Sequence, residues 1–420
     1  MTVVDQAPGS GTRQALNRHS PRPGWHARAV LISVIGLYII AETALAPFLP
    51  QLFQRLYGIS DPGATGLYLW ICRIVGLAAL PLWGLAARRW TLHRLILTGL
   101  CAAAVLDLLL GFAPNYASFT ALSAASVATN AALLLAYPAF IAEHSRKAVS
   151  GQRATSSAHA RLAGICSFVV VFHVASVAAT VTGAGVLALP EPRVGISAFA
   201  LLDVVLAVLI YRVLGQLPPP APEEPTSRTT PVARLSVPWL LLLAQAALIG
   251  VAFDFAVSVA RPFFTELSLS LDSGPTGAAV LFFLPSVAAL AVLPAARRCH
   301  DLLGDRLLPV ALTLGAVGLA SQYLAAGLPT LAGGRLLFGL GLGLGQVAVE
   351  LRMFRATGTA GPAFTAVETV RSAGLLAAPL VAAAAVSQDL ALPLAIAAAV
   401  LIPASLISLS APARAEENHR

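Results

Sequence analysis

The chain has 420 residues, 57% of them hydrophobic and 11% charged, with a mean hydropathy of +0.80 and a formal net charge of +8. Soluble domains carry about 25% charged residues, so this composition excludes an ordinary water-soluble fold. The basic excess forms no single patch; it punctuates apolar segments, which argues for membrane topology and against a nucleic-acid partner.

Residues 1–28 are polar, hold several arginines and lack the short apolar run with a small-residue cleavage site that marks a secretory signal. They are expected to form a cytoplasmic tail. A spanning helix needs about 20 mostly apolar residues. Such runs occur at about 29–49, 65–86, 95–113, 119–142, 162–187 and 195–213. A stretch rich in Pro, Ser and Thr follows, with Glu223 and Glu224, and cannot bury an apolar face. It predicts a solvated linker over 214–237. Six further runs follow at about 238–259, 276–296, 307–326, 330–350, 363–386 and 390–411, and then a short tail, 412–420. The expected fold is therefore an all-α membrane protein of twelve transmembrane helices, with six-helix halves at 29–213 and 238–411. The third, ninth and twelfth runs are the plainest and are expected to face lipid or support the others.

With the N-terminus inside, the inner segments hold 21 Arg and Lys residues and the outer loops hold three, Arg55, Arg193 and Arg261. The positive-inside rule then places both termini and the linker in the cytoplasm. The four cysteines, Cys72, Cys101, Cys166 and Cys299, form no CxxC pair and read as small apolar fillers.

The two halves echo each other. Thr65-Gly66 and Ala86-Ala87-Arg88-Arg89 bracket the second helix, as Thr276-Gly277 and Ala295-Ala296-Arg297-Arg298 bracket the eighth, 209 residues apart at Arg89 and Arg298. Glu143 and Glu350 end the fourth and tenth helices, 207 residues apart; Glu42 and Asp254 lie in the first and seventh, 212 apart. A constant offset is what duplication produces, and two related halves place a transport site at their interface.

The loop after the second helix reads Gly84-Leu-Ala-Ala-Arg88-Arg89-Trp-Thr-Leu-His93-Arg94. The loop after the eighth contains Asp301-Leu-Leu-Gly304-Asp305-Arg306, and the tenth helix carries Leu331, Arg335, Gly339 and Gly341, with Gly343 and Gly345 continuing. These stretches resemble the loop motif G-x-L-A-D-R-x-G-R-R and the helix motif L-x-x-x-R-x-x-x-G-x-G of the major facilitator superfamily. Arg88 stands where the family's loop has Asp, and the fourth helix has Ser126 and Asn130 but no Arg. The resemblance implies a two-lobed secondary transporter. It also implies a cytoplasmic latch in which Glu143 and Glu350 pair with loop groups near Arg88, Arg89, Asp301 and Arg306. The fifth-helix exporter signature is represented only by Thr182-Gly-Ala-Gly185, so export rests on overall likeness to the drug-efflux branch.

Ionisable groups at membrane depth usually face a cavity or a partner. At 1.5 Å per residue, Glu42, Arg73 and Asp107 reach a similar level, and the cluster reads either as a static ion pair or as a proton-linked switch. Asp254 and Arg335 also share a level and are expected to pair, as a substrate anchor, a gate or a structural contact. Glu368 and Arg371, three apart on one helix, are expected to neutralise each other locally. His173 and Asp203 are single polar groups in the fifth and sixth helices. Asn130, Tyr137, Gln245 and Gln346 are uncharged candidates for substrate hydrogen bonds.

No P-loop, HExxH, paired-cysteine metal site or GxSxG elbow is present, and an enzyme is not expected. No cofactor is expected either, the proton gradient supplying the drive. The sequence therefore reads as a monomeric transporter of the bacterial inner membrane. Its expected partners are the lipid bilayer and a small-molecule substrate, and its expected action is proton-coupled export of a drug or siderophore-like metabolite, with Glu42, Asp254 and Asp107 as coupling carboxylates. Proton-symport uptake of a nutrient is the alternative, and a non-transporting receptor or scaffold the remote one.

Overall fold

The computed structural model describes residues 36–87, 89–90, 92–134, 154–214, 237–357 and 362–410. Among these no strand occurs. Hydrocarbon offers no water to backbone groups, so a spanning segment satisfies itself as a helix. The long helices are α1 (Gly36–Tyr57), α2 (Pro62–Ala86), α3 (Leu92–Leu110), α4 (Tyr116–Leu134), α5 (Ala154–Ala188), α6 (Phe199–Leu214), α7 (Val237–Val259), α8 (Gly274–Val292), α9 (Leu307–Tyr323), α10 (Leu328–Thr357), α11 (Pro362–Val386) and α12 (Leu392–Leu409). Nine described segments are long and apolar enough to cross a membrane, one of which, Gly274–Tyr323, contains both α8 and α9. The expected tails fall outside the described residues, as does the 214–237 linker except for the helix ends at Leu214 and Val237.

Three helices depart from their expected bounds, among them α10, which runs on to Thr357 instead of ending near 350. α1 does not stop near 49; the chain turns through Ala46–Phe48 at Pro47 and resumes as Leu49–Tyr57. Pro50 sits in the first turn of that segment, where a helix needs no N–H donor. α5 begins at Ala154, well before the expected 162, in a more polar run that an apolar count misses.

The packing of the first six helices recurs in the last six. α2 packs on α4 as α8 packs on α10, α3 on α4 as α9 on α10, and α3 on α6 as α9 on α12. Between the two sets, α2 packs on α11 and α5 on α8. The α2–α11 contact is closest at Gly66, where an added Cβ would lie 2.5 Å from the Cβ of Ala383.

The alternating glycines of α10 have a directional explanation. Two residues along a helix turn the side chain by about 200°, so successive glycines meet different neighbours. Gly339 and Gly343 abut α8 at Pro285 and Ala289, whereas Gly341 abuts α9 at Ala311 and Gly315. Small residues let three backbones meet in lipid, where helix association depends on close packing.

The outward surface is apolar at helical spacing. Leu201, Val205 and Val208 of α6 are exposed, as are Ile402, Leu406 and Leu409 of α12, Val105, Leu108 and Leu109 of α3, and Phe112 just beyond it. Such stripes suit hydrocarbon and would be a liability in water. They agree with a lipid-facing position for α3 and α12, and the chain is an integral membrane protein.

Candidate functional site

The end of the molecule that carries Tyr57 and Pro62 is called outer, following the arginine count. Two of the three outer-loop arginines complete helix ends. Arg55 donates to the carbonyls of Leu189 (2.8 Å) and Pro190 (3.0 Å), beyond the C-terminus of α5. Arg193 donates to the carbonyl of Ala113 (2.6 Å), beyond the C-terminus of α3. Cations suit these positions because the last carbonyls of a helix lack intrahelical donors.

Two membrane-depth arginines repair proline breaks. Pro285 in α8 has no N–H, so the carbonyl of Leu281, four residues earlier, loses its helical partner. Arg335 supplies a donor: its Nε lies 2.9 Å from Leu281 O and its Nη2 2.7 Å from Phe282 O. Its guanidinium also lies over the Phe264 ring, 3.7 Å from the centroid. Arg73 in α2 does the same between the halves, donating to Leu375 O, the carbonyl released by Pro379 in α11. Neither role is legible from a motif, because the donor and the proline lie far apart in sequence.

The expected Asp254–Arg335 pair is therefore corrected. Asp254 pairs with Arg371, whose Nε lies 2.9 Å from Oδ2 and whose Nη2 lies 3.2 Å from Oδ1. Nη1 of the same guanidinium meets Glu350 at 3.0 Å, Glu368 at 2.8 Å and Met353 Sδ at 3.3 Å. Arg335 and Glu350 stand about 22 Å apart along α10, and Asp254 lies at the level of Glu350. Gly250 makes room for this cluster, since a Cβ there would come 2.7 Å from Cδ of Arg371. The local Glu368–Arg371 pair is present, within a group of three carboxylates on one guanidinium.

Glu350 also departs from its expected latch role, since its carboxylate is held by Arg371 on α11. The loop groups pair separately: Arg297 with Asp301 at 3.9 Å, and Asp305 with Arg355 at 2.9 Å. Arg306 follows Gly304, whose φ of 52° with ψ of −123° requires glycine. Arg89 is exposed. Arg88, Glu143 and Tyr137 lie outside the described residues.

In the first half, Glu42, Asp107 and Asp203 gather around α1, α3 and α6. Asp107 accepts a 2.7 Å hydrogen bond from Ser126 Oγ and lies against Asp203, which is 1% exposed. Glu42 lies within electrostatic reach of Asp107, Asp203 and Arg73, and its side chain is accessible. The expected acid–base–acid group is thus joined by Asp203, while the hydrogen bond of Arg73 goes to a backbone carbonyl rather than to either acid.

A cavity of about 120 Å³ lies between the halves. Thr43, Pro47, Arg73, Ser176 and Thr180 line it from the first half, and Ser258, Arg261, Pro262 and Phe282 from the second. Its outer rim is tied by Thr265 Oγ1, which donates to Pro47 O at 2.6 Å across the interface. On α5, Ser176 and Thr180 continue a stripe from His173 at helical spacing i, i+3, i+7. That spacing, and the place of Ser258 three residues before Arg261, were readable signals that a search for charge alone passes over. His173 is fully buried, and it and Gln346 of α10 face each other. Neither ring nitrogen of His173, nor Oε1 of Gln346, has a hydrogen-bond partner among the described residues.

The remaining substrate candidates divide. Oδ1 of buried Asn130 has no partner among the described residues. Gln245 is committed: its Nε2 donates to Ile407 O at 2.6 Å and its Oε1 accepts from Arg352 at 2.8 Å. It is a packing group within the second half, which corrects its assignment to the cavity. The described residues hold no cluster of three or more His, Cys, Asp or Glu suited to a metal ion.

No family model matches the chain, and no curated protein matches it in sequence. Among solved structures, the fold is similar to that of a mutant of the nucleoside transporter NupG, with a TM-score of 0.61 at 12% identity, covering 91% of this chain and 98% of that one. The chain therefore shares the fold of that transporter along nearly its whole length.

Proposed function

We propose that the chain is a proton-coupled secondary transporter of twelve spanning helices in two related bundles, working by alternating access about the cavity between them. The repeated packing of the two sets of six helices supports the bundles, and the fold likeness supports the resemblance to the major facilitator superfamily. Proton coupling is carried by one observation above all: Asp254, Glu350 and Glu368 share the single guanidinium of Arg371. Three carboxylates around one base at membrane depth leave negative charge to be neutralised, and a proton is the simplest ion to do so. Glu42, with Asp107 and Asp203 beside it, is the matching group in the first half. The protein would act as a monomer in a bacterial inner membrane, with both termini cytoplasmic. We take its direction as export of a small organic compound, following the sequence resemblance to the efflux branch.

The test uses purified protein in vesicles that carry an internal pH dye and an imposed pH gradient. Proton movement on addition of candidate solutes reports coupling, and its sign reports direction. Glu42→Gln should abolish gradient-driven flux while leaving solute binding largely intact, with Asp254→Asn the second site and Asp107→Asn milder. Full coupling in both Glu42→Gln and Asp254→Asn would leave these carboxylates as structural groups.

A further inference from the structure

Of the arginines in the outer loops and the outer half of the helices, four are accounted for by carbonyl oxygens: Arg55 by Leu189 and Pro190, Arg193 by Ala113, Arg335 by Leu281 and Phe282, and Arg73 by Leu375. Arg261 is different. It follows α7 in a segment expected to be a solvated outer loop, yet it is half-buried and lines the cavity between the halves. Among the described residues it makes no ion pair. Among the described residues no carboxylate offsets the burial that pulls its guanidinium below the ordinary arginine range. It also lies within electrostatic reach of Arg73, Arg335 and His173. Two guanidinium groups, those of Arg73 and Arg261, thus line a space whose remaining polar lining is hydroxyl: Thr43, Ser176, Thr180 and Ser258. Among the described residues no carboxylate lines the cavity; Glu42 acts on Arg73 from beyond it.

An unpaired guanidinium away from water is costly, and an anion offsets that cost best, because the planar fork matches a carboxylate or phosphate in two parallel hydrogen bonds. The hydroxyls of Thr43, Ser176 and Thr180 donate to the carbonyls of Ile39, Phe172 and Ser176, so Ser258 is the lining hydroxyl whose single donor is best placed to serve the same oxygens. A cationic solute would meet like charge from both sides. At about 120 Å³ the cavity is smaller than the roughly 300–1,000 Å³ of whole-ligand pockets, which suits an anionic head rather than an entire drug-sized molecule.

We propose that this cavity binds the anionic group of the transported solute, a carboxylate or a phosphate, between Arg73 and Arg261, with the Ser258 hydroxyl adding to its shell. Because Arg73 belongs to α2 and Arg261 follows α7, the bound anion bridges the two halves. The inference rests on the transporter reading for its biological meaning, but its test does not depend on flux.

The test is equilibrium binding of inorganic phosphate and of succinate to the purified full-length protein, by calorimetry, with glucose and tetramethylammonium as uncharged and cationic controls. The wild type should bind at least one of the two anions and neither control. Arg261→Gln should weaken that binding about tenfold or more, and Arg261→Lys should weaken it less, keeping the charge without the fork. Arg261 holds no backbone carbonyl among the described residues, so these variants should retain the wild-type elution profile, whereas Arg73→Gln also disturbs the α2–α11 contact and serves only as support. Wild-type protein that binds neither anion, or Arg261→Gln that binds as tightly as wild type, overturns the proposal. Flux of uncharged or cationic solutes without anion binding overturns the site and leaves the transporter reading standing. Anion binding without flux of any solute does the reverse.

Discussion

Replacing Arg335 by Met tests whether a buried arginine can stand in for a missing backbone N–H. In the native protein Arg335 is 2% exposed and bonds Leu281 O at 2.9 Å and Phe282 O at 2.7 Å, next to the break at Pro285. Arg335→Met leaves those carbonyls without this donor, and a buried unsatisfied group costs about 1–3 kcal/mol. The removed charge no longer has to be kept out of water, which offsets part of the loss. Pro285→Ala restores an N–H at the position that faces Leu281 O in a regular helix. The cost of Arg335→Met should therefore be smaller in the Pro285→Ala background, with a coupling of about 1–2 kcal/mol. The assay is reversible denaturation in mixed micelles, run on the wild type, both single variants and the double variant. Additivity within about 0.5 kcal/mol would refute the reasoning and leave the arginine held by its aromatic neighbours and Gln322.

Other outcomes follow from the same geometry. Arg371→Leu should lower stability by less than the roughly 3–5 kcal/mol of a fully buried pair, since the stranded carboxylates are partly solvated, and adding Asp254→Asn and Glu350→Gln should recover much of it; a triple variant no more stable than Arg371→Leu would show the cluster to be unimportant. Gly339→Val should lower stability by about 1–3 kcal/mol or more, since even its Cβ would stand 2.5 Å from Pro285 O; thermal denaturation in detergent measures it, and an unchanged midpoint would mean that α8 can yield. A cysteine placed at Ser227 in a chain otherwise free of cysteine should resist a membrane-impermeant thiol reagent in intact cells, and ready labelling there would reverse the assigned orientation.

Sequence alone determined the class and the broad order of this protein. A membrane span is a local property, about 20 apolar residues whose backbone satisfies itself, so most helices lie close to where their apolar runs place them. The repeat was legible for the same reason: Thr65-Gly66 and Thr276-Gly277 open corresponding helices, and the packing of each half repeats with them. Partnerships were not legible, because one-dimensional depth does not say which way a side chain leaves its helix. Depth alone matched Asp254 with Arg335; helix rotation and tilt give Asp254 to Arg371, and give Arg335 to carbonyls that a proline in another helix had released. Arg261 counted as an outer-loop charge until α1, α2, α5 and α8 closed around it. A charge's surroundings are made by segments far away in sequence, and only tertiary packing decides whether it meets water, a carboxylate or an enclosed cavity.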